Sequence, residues 1–281
     1  MKIGLNLWVW ESPFRTDRHL SLLVKVKALG AEAVEFALEE GGLVEAPILR
    51  RALREQALGC SIIGLFGTDR DLSSPDADQR RRGVEYARKG LELSAEVGAT
   101  VFSGACVGVG GTEMLSDAER RMRYRLATEC LHQIGELATQ VGVRFCVEIL
   151  NRYEDNILNT AAQACELMDM TDHPAVGIHL DTFHMNIEEG SMGNAIRLAG
   201  QRLFHLHASD THRGAPGGGH LAWKEVAEAL QQINYKGFAV IESFNPQGRL
   251  APLARSWRPY AESQDILAAE GLAFLWETLR K

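Results

Sequence analysis

Short apolar runs alternate with longer amphipathic segments along the whole chain. The runs Ile3–Trp8, Ala33–Ala37, Ser61–Leu65, Thr100–Ala105, Arg144–Ile149, Val176–Asp181, Leu203–His207 and Phe238–Glu242 have the length and content of buried strands. Between them, 19–29, 46–58, 77–97, 117–141, 161–170, 192–199 and 223–233 repeat apolar residues at helical spacing, and 262–279 closes the chain in the same way. Gly30, Gly59, Gly98 and Gly142 each follow a helical run and precede a strand, as helix C-terminal caps do. Ser116, followed by Glu119 three positions on, predicts a capping box. Eight strands, each followed by a helix with no linker or composition break, predict one (β/α)8 TIM barrel domain over residues 1–281. The sixth unit is the weakest, with a short helix after Glu188-Glu189-Gly190. The competing arrangement is a doubly wound open sheet, but no G-x-G-x-x-G follows the first strand.

The length of 281 residues suits such a barrel, and 46% hydrophobic with 24% charged residues is ordinary for a globular chain. A net charge of −7 opposes nucleic-acid binding, and Arg80-Arg81-Arg82 reads as a solvated helix face. Five cysteines (Cys60, Cys106, Cys130, Cys146 and Cys165), odd in number and without a CxxC pair, predict reduced thiols. A strand at Lys2–Leu5 leaves no room for a signal peptide, and no apolar run is long enough for a membrane span. A soluble, cytoplasmic protein with no nucleic-acid or membrane partner is expected.

Active sites of such barrels form at the C-terminal strand ends. Strands five to eight end in Glu148, Asp181, His207 and Glu242, at spacings of 33, 26 and 35 residues, each close to one strand-helix unit. Each of these residues alone has a bland reading, as a helix cap or a satisfied core group. In phase on four consecutive strands, they read as one metal site. Three carboxylates and an imidazole favour Mn²⁺, Mg²⁺ or Co²⁺, and a cation would compensate a carboxylate such as Glu148 buried inside 145-FCVEILNRYED-155. His179 and His205 share the faces of Asp181 and His207 and are expected one layer deeper, as structural residues or hydrogen-bonding the ligands from below. His212 and His220 are expected in solvent or at the rim, while His19, His132 and His173 have no expected active role. Gly217-Gly218-Gly219 reads as a flexible loop beside the site rather than a phosphate cradle.

The segments VEILNRYED, HLDTFHMNIEEG, HLHASDTHRG and VIESF, in this order and spacing, resemble the D-tagatose 3-epimerase family. That family includes D-psicose (D-allulose) and L-ribulose 3-epimerases within the wider xylose-isomerase-like superfamily. The resemblance covers essentially the whole chain but is specific in the C-terminal half. It places the family's metal ligands on Glu148, Asp181, His207 and Glu242, and its paired acid/base carboxylates on Glu148 and Glu242. It places substrate contacts at the sugar's carbonyl end on Glu154, His184 and Arg213, and an aromatic beside the sugar on Phe244. Loops around Trp8, Trp10 and Leu65-Phe66 are expected to form an apolar wall.

The resemblance implies epimerisation at C3 of a free ketose, with one divalent metal ion (Mn²⁺, with Co²⁺ or Mg²⁺ as alternatives) and no organic cofactor. It also implies a homodimer or homotetramer. The rival enzyme reading is an aldose–ketose or hydroxypyruvate-type isomerase on the same metal barrel. Arg213 and Phe244 favour the epimerase. A metal-dependent nuclease would need more histidine ligands and a basic groove, and a non-catalytic sugar-binding barrel would have lost one of the paired carboxylates.

Overall fold

The computed structural model describes residues 1–280. Its strands are β1 (Lys2–Asn6), β2 (Ala33–Leu38), β3 (Gly59–Gly64), β4 (Val101–Gly104), β5 (Arg144–Glu148), β6 (Val176–Asp181), β7 (Leu203–His207) and β8 (Phe238–Ile241). They pair in sequence order, all parallel, and β1 also pairs with β8, so the sheet closes into a barrel with no free edge. Among the described residues the helices are α1 (Thr16–His19), α2 (Ser21–Ala28), α3 (Ala46–Glu55), α4 (Ala77–Val97), α5 (Asp117–Val141), α6 (Ala161–Thr171), α7 (Thr182–Glu188), α8 (Met192–Ala199), α9 (Trp223–Gln232) and α10 (Gln264–Leu279). None of the helices is long and apolar enough to cross a membrane.

Strands covered by helices outside and by side chains inside are buried on both faces, hence their nearly unbroken apolar runs. Outward residues such as Ile62, Phe102 and Ile178 pack beneath the helices in the main core. The approach is close at Gly90 of α4, where a β-carbon would lie 2.2 Å from the Phe102 ring. Inward residues step up the barrel two at a time. Ala33, Val101, Cys146, Phe204, Phe238 and Val240 form a separate apolar cluster, and Glu35, Glu148 and Glu242 each stand two residues beyond a member of it. All five cysteines are free and buried.

Local deviations from the expected elements have local causes. β1 stops at Asn6, because the Asn6 side chain accepts from the Trp8 N–H (2.8 Å) and turns the chain into a short 3-10 helix, Leu7–Val9. Helix α7 starts at the very end of β6, a helix too short to announce itself by periodicity; the Asp181 carboxylate caps it by accepting from the Phe183 N–H at 2.8 Å. Asp181 is thus both the expected strand-end acid and a helix cap. The helical run 19–29 forms α2, preceded by the one-turn α1. Gly98 and Gly142 adopt the left-handed caps expected of them, with φ of 85° and 71°. Gly59 does not, since it begins β3 and the positive φ (49°) falls on Ala57. The capping box at Ser116 and Glu119 forms at the start of α5.

Candidate active site

The last residues of β5, β6 and β7 and the first residue beyond β8 bring Glu148, Asp181, His207 and Glu242 together. One ligating atom from each lies within 4.8 Å of the others, and all four residues are buried. His207 Nδ1 stands 3.1 Å from Glu242 Oε1 and 3.7 Å from Glu148 Oε1. Burial pushes the Glu148 carboxyl well above the usual carboxylate range, against the pull of His207 and with Glu242 and Asp181 adding like charge. Burial also lifts Asp181, to about 6, against Arg213. Glu242 is buried too, yet His207 and Arg213 hold its carboxyl down at about 2.

These residues fit a divalent cation. Three carboxylates with one imidazole form an oxygen-rich donor set of the kind Mn²⁺, Mg²⁺ or Co²⁺ takes. Burial, with the like charge of Glu242 and Asp181 added to it, raises Glu148, and a bound dication would compensate both.

The other candidates gather around this cluster. Arg213 sits in the left-handed region (φ 63°) and its Nη1 donates to Asp181 Oδ2 (2.5 Å) and to Glu242. Its guanidinium lies over the Phe183 ring at 4.0 Å and near Phe244 at 5.5 Å. Expected only at the sugar's carbonyl end, Arg213 also binds two of the four converging side chains. His184 Nδ1 stands 3.1 Å from the Asn151 backbone N and Nε2 stands 3.0 Å from Arg213 Nη2, so each ring nitrogen faces a donor. Glu154 is half-buried and accepts from Asn151 Nδ2 at 3.0 Å. Asn151, which reads in the sequence as a loop residue, therefore orients both His184 and Glu154.

Above the cluster opens a cavity of about 330 Å³, within the range of small-molecule sites. Glu148, Glu154, His184, Arg213, Glu242 and Phe244 all line it. Its apolar wall includes Leu65, Phe66 and Trp8, whose ring stacks on Phe244 at 5.4 Å with planes 22° apart. Trp8 is held from behind by its Nε1–H to Glu39 (3.0 Å). Trp10 is not part of this wall. The 3-10 turn sends it outward, where its Nε1–H donates to Asp265 (2.6 Å) and Lys25 lies over its ring at 5.6 Å.

His212 packs edge-on against Tyr260 and His220 is exposed. The glycine run beside them is tied down by Asp210, which accepts from the Gly217 N–H (2.8 Å) and Trp223 Nε1 (3.0 Å). A β-carbon at Gly219 would lie 1.9 Å from Asp210 Oδ1, so the loop closes on a carboxylate and is unsuited to a phosphate. Sequence reasoning missed Glu35 of β2, a fully buried carboxylate 2.7 Å from His207 Nε2. The only signal was an acid in the middle of an apolar strand.

Residues 23–274 match the family model described as the xylose isomerase-like TIM barrel. The chain is 32% identical to a D-psicose 3-epimerase of Ruminiclostridium cellulolyticum, over 94% of this chain and 92% of that one. It is 31% identical to an L-ribulose 3-epimerase of Mesorhizobium japonicum, over 98% and 93%. A solved L-ribulose 3-epimerase superposes with a TM-score of 0.93 at 29% identity, covering 99% of this chain and 94% of that one. By fold, by family match and by these relatives, the chain belongs to the ketose 3-epimerase family of xylose isomerase-like TIM barrels.

Proposed function

We propose that the chain is a metal-dependent ketose 3-epimerase acting on free ketoses of the D-tagatose, D-psicose/D-fructose or L-ribulose type. One observation carries this reading: two carboxylates, Glu148 and Glu242, face the same sugar-sized cavity from strands β5 and β8, among the groups that fit a cation. The names of the relatives support the substrate class.

Inversion at C3 requires a proton to leave one face of the carbon and return to the other. In the proposed mechanism one glutamate of the pair takes the C3 proton and the other delivers a proton to the opposite face of the planar enediolate. A cation held by Glu148, Asp181, His207 and Glu242 would act as a Lewis acid toward the sugar's oxygens. His184 and the Arg213 guanidinium donate to the oxygen that gains charge. Glu154 holds the sugar's O1 end. The stacked Trp8 and Phe244 rings cover the sugar's apolar face and keep bulk water from the carbanion.

The test is turnover of D-fructose, D-psicose, D-tagatose and L-ribulose in heavy water by Mn²⁺-loaded protein. Deuterium is expected at C3 of an epimeric ketose. Label at C1 or C2 with an aldose product would establish the isomerase reading instead, and no incorporation would overturn both.

A further inference from the structure

Glu35 carries a full set of contacts that the proposed chemistry does not use. Its side chain has no solvent exposure, and taking a carboxylate out of water costs several kcal/mol unless it is well partnered. The partners are present on both oxygens. Oε1 accepts from Asn6 Nδ2 (2.8 Å) and lies 2.7 Å from His207 Nε2. Oε2 accepts from Ser61 Oγ (2.8 Å) and lies 2.8 Å from His205 Nε2. The His179 ring packs edge-on against both imidazoles, at 4.6 Å from His205 and 4.2 Å from His207. Three neighbouring strands, β1, β2 and β3, thus hold one carboxylate against two imidazoles of β7.

We infer that Glu35 is the positioning residue of His207, fixing both its ring orientation and its tautomer for the cation. An ionised carboxylate can only accept, so the hydrogen of a neutral His207 must sit on Nε2, facing Glu35. The lone pair is then on Nδ1, the nitrogen that stands 3.1 Å from Glu242 and 3.7 Å from Glu148. Without Glu35 both tautomers become available, and the one with hydrogen on Nδ1 has no lone pair to offer on the side of the four converging groups. Glu35 is not itself a candidate ligand, because the imidazole stands between it and the other carboxylates. Its anchors, Asn6 and Ser61, hydrogen-bond to Glu35 and so bear on His207 through it.

This inference rests on the proposed metal site, and the experiment separates the two. Mn²⁺ is titrated calorimetrically into metal-stripped full-length protein, for the wild type and for Glu35→Gln. The substituted amide is isosteric but can present an N–H to His207. An affinity about 10- to 100-fold weaker in Glu35→Gln, with one Mn²⁺ still bound per chain, is expected. A merely structural role for Glu35 would lower the thermal midpoint and leave the affinity alone, so an affinity within about twofold of wild type overturns the inference while the metal site stands. A wild type that binds no Mn²⁺ overturns the metal reading and this inference with it. Should Glu35→Gln fail to fold, Ser61→Ala loosens Glu35 without touching His207. An affinity loss of about three- to fivefold is expected there, and an unchanged affinity overturns the inference.

Discussion

Glu242 is the residue on which most of the proposed chemistry converges. It lies 3.1 Å from His207, receives a hydrogen bond from Arg213 and faces the cavity. Replacing it by glutamine keeps the shape and the hydrogen-bonding capacity while removing the proton carrier and a charge. Glu242→Gln is therefore expected to lower kcat by about 10²- to 10⁴-fold with the circular dichroism of the folded barrel retained. Full turnover in that variant would strike Glu242 from the mechanism. The meeting of Glu148, Asp181, His207 and Glu242 could be read from the sequence because strand alternation fixes which residues face inward. Glu35 could not be read the same way, since the imidazole that gives it meaning stands 172 residues away. Nor could the contacts of Arg213 with Asp181 and Glu242, which depend on a left-handed backbone at a loop arginine.

At the level of elements, the eight strands were legible from their apolar runs, and the long helices α4 and α5 appear with the expected bounds. What escaped were features shorter than two helical turns, where periodicity has no room to show: the 3-10 turn that redirects Trp10, and α7. Loops hid a further structural group. Asp155, in the segment after β5, caps the chain by accepting from the Ile157 (2.5 Å) and Leu158 (3.1 Å) N–H groups, and its second oxygen is buried without a hydrogen bond. Burial lifts its carboxyl from 3.8 to about 7, even against those two donors. The folded chain thus holds a proton there between about pH 4 and pH 7 that the unfolded chain releases, so this group's contribution to stability falls as pH rises through that window. Asp155→Asn keeps the accepting oxygen and cannot ionise. Its urea midpoint is expected to gain on wild type between pH 4 and pH 7.5, by as much as about 4 kcal/mol in stability. A gap that stays constant with pH would show that Asp155 is ionised in the fold.

For the molecule as a whole, the proposed cation joins four strands that are otherwise held by ladder hydrogen bonds and packing. A ligand that binds only the folded chain stabilises it by mass action, by about 2.7 kcal/mol at a hundred times the dissociation constant. Mn²⁺ at that level is expected to raise the thermal midpoint by roughly 5–10 °C, and a chelator should reverse the rise. An unchanged midpoint would mean that the four side chains hold no metal.

Barrel closure has one more effect. The groups that would hold a cation come from the last four strands, whereas the carboxylate that orients one of them comes from the second, and the two parts meet only when β1 docks on β8. A chain stalled with its ring of strands open would have the four groups of β5 to β8 without the carboxylate that orients His207. Tight capture of the proposed cation would thereby come only with completed folding.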